Sequence, residues 1–207
     1  MPDLAVIRRA LAQQGQGSSD FDLHPDLVLP QGRVLKPAGV LIALADRGAG
    51  LEVILTKRAA HLKNHPGQIA FAGGRQDADD VDATEAALRE AHEEIGLPRG
   101  LVEVIGILPP HETVTSYKVT PVVGIVTAPF EEIAEAGEVA EIFRVPLAHV
   151  TNLANFRVEG RIWQGRRREY YVVPYGPYYI WGATARILRT LAERVGAERR
   201  ETKQVSV

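Results

Sequence analysis

Residues 87–96 read ALREAHEEIG, a short stretch with the composition of a helix. Helical geometry, at about 100° per residue, divides the stretch into two faces. The apolar face carries Leu88, Ala91 and Ile95. The acidic face carries Glu90, Glu93 and Glu94. The pattern predicts an amphipathic helix that packs one face on a core and presents carboxylates on another.

Local signals set both ends of this helix. Asp82, followed three residues later by Glu85, has the form of a capping box with Asp in the Ser/Thr role. Gly96 and Pro98 are residue types that commonly end a helix. We therefore expect the helix to cover residues 82–95.

The acidic face of the helix breaks local preferences. Glu90 and Glu94 are a like-charge pair at i,i+4, and the macrodipole near the helix C-terminus disfavours each negative charge by about 0.3–1 kcal/mol. Arg89 can reach Glu93, but it neutralises only one carboxylate. A solvated acidic face is one interpretation. The other is a site for Mg²⁺ or Mn²⁺, because carboxylates three and four residues apart converge on a shared point.

The residues before the helix favour the cation site. FAGG (71–74) ends a predicted strand on Gly73 and Gly74, where the backbone can turn tightly and approach a ligand closely. A strand, a glycine turn and an acidic helix in series predict a site for a metal ion and a diphosphate.

The remaining pattern predicts an α+β fold. Two β-branched, apolar runs at 38–46 and 51–58 predict a hairpin of buried strands. Pro121 is expected to place its own strand at an edge or a bulge. Apolar residues at helical spacing from Ile180 to Val195 predict a closing helix. The other extended segments are 101–110, 117–127, 138–147, 155–160 and 168–176.

Length and composition limit the classes of protein that fit. We expect an N-terminal helix and connector at 1–37, one domain at 38–196 and a polar C-terminal tail at 197–207. A formal net charge of -2 provides no global field to attract nucleic acid or an anionic membrane. The absence of cysteine excludes disulfides and thiolate zinc sites. With no signal peptide and no apolar run of transmembrane length, the expected location is the cytoplasm.

Residues 74–97, GRQDADDVDATEAALREAHEEIGL, resemble the signature of the Nudix hydrolase superfamily. The matching positions are Arg89, Glu90, Ala91, Glu93, Glu94, Gly96 and Leu97. Asp80 departs from the signature, because it stands six residues after Gly74, where the family has glutamate, and one extra residue separates it from Arg89.

The longer spacing resembles one branch of that superfamily. LTKRAAHLKNHPGQIAFAGGRQDADD (55–80) is similar to the extended motif of the coenzyme A pyrophosphatases, which usually have proline at the position of Ala72. The likeness continues through 106–110, 117–124 and 180–188. It implies a Nudix-type mixed β-sheet sandwiched between helices, an α/β/α arrangement.

The resemblance also implies roles for the acidic helix. Glu90 and Glu94 would be the principal ligands of Mg²⁺ or Mn²⁺. Glu93 would be a further ligand or would hold a metal-bound water, and Arg89 would orient the glutamates by ion pairing. Water would then attack a phosphorus of a pyrophosphate. The base that takes its proton is left open among Glu93, Glu138 and Glu112.

Substrate contacts are expected on the strand ends beside this helix. The resemblance assigns substrate phosphate to Arg58 and to Lys63, which stands where the family usually has arginine. Gly73 and Gly74 would bring the backbone close to the substrate.

Two aromatic groups have alternative interpretations. The first consists of Tyr175, Tyr178 and Tyr179. These tyrosines line a base-binding pocket or pack a turn. The second consists of the arginines at 166–168, followed by Tyr170 and Tyr171. A hairpin with solvated arginines explains it better than a nucleic-acid surface, given the acidic total.

The expected activity is hydrolysis of coenzyme A or its derivatives to 4′-phosphopantetheine and 3′,5′-ADP. One alternative is hydrolysis of another nucleoside diphosphate compound, such as ADP-ribose or NADH. Another is a non-catalytic Nudix-like binding module. The expected partner is a small-molecule substrate and neither nucleic acid nor a membrane, and the sequence leaves the oligomeric state open.

Overall fold

A mixed β-sheet of nine strands forms the centre of the computed structural model, which describes residues 4–27, 29, 32–163 and 165–205. The strands are β1 (Ser18–Ser19), β2 (Lys36–Asp46), β3 (Leu51–Arg58), β4 (Ile69–Ala70), β5 (Ala72–Arg75), β6 (Val102–Ile107), β7 (His111–Glu112), β8 (Tyr117–Val126), β9 (Val139–Pro146), β10 (Arg157–Trp163) and β11 (Arg166–Val172). The helices are α1 (Leu4–Ala12), α2 (Ala83–Ile95), α3 (Leu147–Val150) and α4 (Gly182–Val205). Strands β10 and β11 form a separate antiparallel hairpin.

Strand β2 lies at the centre of the sheet. It pairs in parallel with β8 and antiparallel with β3 and β5, so the predicted β2–β3 hairpin is confirmed. Alternate residues of β2 enter two separate cores: Leu41 and Ala43 pack on the α2 side, while Ile42 and Leu44 pack on the side of α1 and α4. A strand buried on both faces needs helices on both faces, and the predicted α/β/α arrangement is therefore confirmed.

A glycine lets α2 lie close to the sheet. A Cβ on Gly39 of β2 would overlap the carbonyl of Ala83, the first residue of α2. The helix can therefore start directly over β2, close to the glycine turn of β5, which pairs with the same strand. This contact fixes where the acidic face of α2 points.

Helices α1 and α4 pack together in the core on the side of the sheet opposite to α2. Ile7 and Leu11 of α1 are buried in the same cluster as Leu188 and Leu191 of α4. Helix α4 runs past Gly196, into the segment that we expected to be a polar tail. There Glu198 is buried and accepts hydrogen bonds from Arg9 and, at 3.0 Å, from Gln13 Nε2. In this segment, Glu198 therefore joins α4 to α1 and to the residue after it.

Strand β8, which contains Pro121, has neighbours on both sides and is not an edge strand. It pairs with β2 on one side and with β6 and β7 on the other. Pairing on the second side is interrupted between Ile107 and His111, opposite Pro121, and Leu108 N still donates to Pro121 O at 2.9 Å. The interruption accommodates a residue that has no N–H to donate. Among the helices in the described ranges, none is long and apolar enough to cross a bilayer.

Candidate active site

Helix α2 has the predicted limits. Asp82 caps it, because Asp82 Oδ1 accepts hydrogen bonds from Thr84 N at 2.7 Å and Glu85 N at 3.0 Å. The Glu85 side chain pairs with Arg99 at 3.4 Å, so the capping contacts come from the aspartate alone. Gly96 ends the helix in the left-handed conformation, with φ 71. Ala91 and Ile95 are buried, and so is Glu94, whereas Glu90 is half-buried and Glu93 is exposed.

Glu94 is a buried carboxylate. It is only 6% exposed, and Gly73 N donates to its Oε2 at 3.2 Å. Burial and, to a smaller extent, the negative charges of Glu90 and Glu138 raise the pKa of Glu94 to about 8, although the Gly73 hydrogen bond and Arg58 oppose the rise. The ionised form of this side chain is therefore unfavourable in the metal-free protein.

Glu90 lies against the glycine turn. A Cβ on Gly74 would overlap the Glu90 carboxylate, so a larger residue there would require that carboxylate to move. Burial raises the pKa of Glu90, with Glu93 and Glu138 adding to the rise and Arg89 opposing it. The two predicted glycines thus contact the two predicted principal ligands, one each.

Arg89 connects the helix to the loop before it. Its Nη1 is 2.9 Å from Glu90 Oε1 and 3.2 Å from Glu93 Oε2, which is the predicted ion pairing. Its strongest contacts are to Asp80, with Nη2 2.9 Å from Oδ2 and Nε 3.1 Å from Oδ1. Arg89 Nη2 also donates to the carbonyl of Arg75 at 3.1 Å. Asp80 and the Arg75 carbonyl therefore fix the Arg89 guanidinium, which in turn holds the Glu90 carboxylate in place.

Asp80, whose spacing departs from the signature, is the main side-chain partner of Arg89. It is buried, and its hydrogen bond with Arg89 lowers the pKa of its carboxyl despite that burial. Asp77 N donates to Asp80 Oδ2 at 2.8 Å, and Asp80 N donates to Asp77 O at 3.2 Å. This turn absorbs the extra residue, so Asp80 reaches Arg89 although its spacing departs from the signature.

A loop from another part of the chain adds a further carboxylate. Ile133 N donates to Ile95 O at 3.2 Å and Glu135 N donates to Glu94 O at 3.0 Å, which ties the loop to the end of α2. Glu138 then lies near enough to raise the pKa of Glu94, and its Oε2 is 3.9 Å from Arg58 Nη1.

The other predicted residues are placed differently. Glu93 is 54% exposed and turned toward Arg89. Glu112 is paired with Arg33 at 2.5 Å. Lys63 is exposed, and within the described chain no hydrogen bond or ion pair joins it to the glutamates.

A cavity of about 470 Å³ adjoins the carboxylates. Gly73 forms part of its wall, together with Phe71, Val119, Tyr170 and Trp181. The tyrosines at 175, 178 and 179 are not among its lining residues in the described parts of the chain. Tyr178 instead stacks on Phe143, with ring centroids 3.6 Å apart, and it donates to Glu141. The interpretation as turn packing is therefore the correct one for Tyr178.

The donor set suits a hard divalent cation. Within residues 4–27, 29, 32–163 and 165–205, no three His, Cys, Asp or Glu side chains already form a group that could hold a metal ion. Glu90 and Glu94 are nevertheless oxygen donors whose ionised forms are disfavoured by burial and mutual repulsion. A divalent cation would remove that repulsion, and both carboxylates are of the type that Mg²⁺ and Mn²⁺ prefer.

Comparisons with known proteins agree with this geometry. Residues 35–163 match the NUDIX domain family. The chain is 43% identical over 187 residues to the uncharacterized Nudix hydrolase NudL of Enterobacter sp. (strain 638), covering 84% of this chain and 96% of that protein. It is 42% identical over 164 residues to the NudL of Escherichia coli (strain K12), covering 79% and 84%.

Solved structures have the same fold. The NUDIX domain of Shewanella oneidensis NrtR, crystallised with ADP ribose, superposes with a TM-score of 0.50 at 13% identity, covering 84% of this chain and 94% of that one. A MutT/nudix family protein from Enterococcus faecalis also gives a TM-score of 0.50, at 16% identity, covering 95% and 76%.

The fold, the carboxylate helix and these relatives define a hydrolase that acts on pyrophosphate bonds. The chain belongs to the Nudix family. Members of that family generally need a divalent metal ion and act on compounds linked through a nucleoside diphosphate.

Proposed function

We propose that this Nudix hydrolase cleaves the pyrophosphate bond of coenzyme A or its derivatives, giving 4′-phosphopantetheine and 3′,5′-ADP. The choice of coenzyme A is supported by the likeness of residues 55–80 to the extended motif of that branch. The observation that carries the proposal is the position of Gly73, which lines the cavity and whose N–H donates to Glu94. A substrate in the cavity would therefore reach the carboxylates.

The residues have distinct roles in this reaction. Glu90 and Glu94 would hold Mg²⁺ or Mn²⁺, which would supply charge neutralisation and Lewis acidity. Arg89, fixed by Asp80, keeps Glu90 oriented. Arg58 is positioned beside Glu94 to bind a substrate phosphate.

Proton transfer is assigned to Glu138 in preference to Glu93. A water oxygen forms a new bond to phosphorus, the bond from phosphorus to the bridging oxygen breaks with its electron pair leaving on the departing phosphate, and a carboxylate takes the water proton. The charge of Glu138 acts on both Glu90 and Glu94. Glu138 is also the more loosely paired of the two, at 3.9 Å from Arg58, whereas Glu93 is 3.2 Å from Arg89. Glu93 is retained as the alternative base or as a support for bound water.

A substrate panel tests the proposal. Coenzyme A, ADP-ribose and NADH are incubated with the protein and Mg²⁺ or Mn²⁺, and the products are separated so that 3′,5′-ADP and AMP are measured individually. The proposal predicts that coenzyme A has the highest kcat/KM and that Glu94→Gln lowers its turnover at least about 100-fold. Brisk cleavage of ADP-ribose with little cleavage of coenzyme A would overturn the substrate assignment. Binding of all three without cleavage would instead indicate a non-catalytic module. We also propose that the protein acts in the cytoplasm.

A further inference from the structure

The β10–β11 hairpin holds two arginines in an unfavourable arrangement. Arg161 of β10 is the direct cross-strand partner of Arg168 of β11. Directly opposite residues share a face of a hairpin, and like charges in that position are destabilising. Both arginines line the cavity beside Gly73. Two guanidinium groups on one wall of a cavity are suited to bind an anion.

The environment of Arg161 leaves its hydrogen-bonding groups available to a ligand. Its guanidinium carbon is 4.6 Å from the ring centroid of Trp181 and 6.0 Å from that of Tyr170. In the described parts of the chain, no carboxylate forms an ion pair with it. Arg157 and Arg167 of the same hairpin, by contrast, pair with glutamates at 2.7 Å and 3.3 Å. Stacking on aromatic rings orients a guanidinium without using its N–H groups.

The rest of the cavity suits a nucleoside. Trp181 and Tyr170 lie with ring centroids 5.1 Å apart on one side, and the apolar side chains of Phe71, Val119 and Ile187 also line the cavity. Aromatic side chains can stack on any nucleobase, because every base has a π-face. The cavity thus combines a surface for a base, a pair of arginines and the backbone of Gly73, whose N–H donates to Glu94.

We propose that this cavity binds the nucleoside half of the substrate, with Arg161 and Arg168 contacting a phosphate monoester on its ribose. A monoester dianion can accept hydrogen bonds from two guanidinium groups at once. The inference rests on the proposed function, and it adds a basis for selectivity: the two arginines favour a substrate whose ribose carries an extra phosphate. For coenzyme A that group is the 3′-phosphate, which dephospho-coenzyme A lacks.

Kinetics with this pair of substrates tests the role of the arginines. In the wild type kcat/KM should be higher for coenzyme A than for dephospho-coenzyme A. Arg161→Gln and Arg168→Gln should each reduce that ratio by about tenfold or more, the loss of one charge-assisted contact, with little change for dephospho-coenzyme A. Arg167→Gln is the matched control, because Arg167 is adjacent on the strand, points to the opposite face and is exposed. An unchanged ratio, or equal losses on both substrates, would overturn the inference.

Binding of the reaction products separates the inference from the proposed function. Calorimetry measures the binding of 3′,5′-ADP and of AMP to the wild type and to Arg161→Gln. These titrations require no turnover. The expected result is tighter binding of 3′,5′-ADP than of AMP in the wild type and a lost preference in the variant. Cleavage of coenzyme A with equal binding of the two products would refute the arginine role and leave the function standing. A preference for 3′,5′-ADP without cleavage of coenzyme A would refute the function and support the arginine role.

Discussion

Replacing Glu94 with glutamine exchanges a buried ionisable carboxyl for a neutral amide and keeps the shape of the side chain. The Gly73 N–H that donates to Glu94 Oε2 at 3.2 Å can donate to the amide oxygen instead. The variant therefore mimics the protonated carboxyl without leaving a buried donor unpaired.

The pKa of Glu94 sets the expected gain in stability. Burial, with repulsion from Glu90 and Glu138, raises it from 4.5 to about 8. Between these two values the folded chain binds a proton that the unfolded chain has released, so the stability of the metal-free protein falls as pH rises. At pH 7, about 2.5 pH units above the ordinary value, the wild type loses about 3 kcal/mol relative to a neutral side chain. At pH 5 the loss is less than about 1 kcal/mol.

Urea unfolding in the presence of a chelator, repeated between about pH 5 and pH 8, measures this effect. Glu94→Gln should be more stable than the wild type by up to about 3 kcal/mol at pH 7, and the gain should shrink toward pH 5. Glu93→Gln is the control, because this neighbour is exposed and should change stability by less than about 1 kcal/mol. Turnover by Glu94→Gln should fall at least about 100-fold, or about 3 kcal/mol in barrier. A gain that is the same at both ends of the pH range, or a loss of stability at pH 8, would refute the reasoning.

Three further substitutions test single contacts. Asp80→Asn weakens the main contact of Arg89 and should lower the unfolding free energy by about 2 kcal/mol. The control is Asp79→Asn at an exposed position, which should change the unfolding free energy by less than about 0.5 kcal/mol in the same urea assay. Gly74→Ala places a Cβ against the Glu90 carboxylate, so kcat should fall while circular dichroism stays native, and full activity would contradict the close approach. Glu138→Gln should lower kcat by about 100-fold at saturating metal, and a wild-type rate would exclude it as the base.

Local signals in the sequence were sufficient to predict the helix that carries the site. The cap at Asp82, the stop at Gly96 and the apolar positions facing the core are all short-range features, and the structure has each of them. The glycine turn was predictable for the same reason, because its function depends on backbone space at Gly73 and Gly74.

Features that depend on tertiary contacts were not predictable in this way. The contact of Asp80 with Arg89 requires the turn at 77–80, which spacing alone does not specify. Glu138 reaches the site only because backbone hydrogen bonds tie its loop to the end of α2. Arg161 was not singled out by its sequence context, since its place in the cavity depends on the pairing of β10 with β11.

Titration with Mn²⁺ followed by electron paramagnetic resonance measures most directly whether Glu90 and Glu94 hold a divalent cation. The wild type should bind Mn²⁺ at millimolar or lower concentration, and binding should be lost in the variant that combines Glu90→Gln with Glu94→Gln, while Glu112→Gln retains it. Equal Mn²⁺ binding by the wild type and the double variant would contradict the assignment of these carboxylates as the metal site.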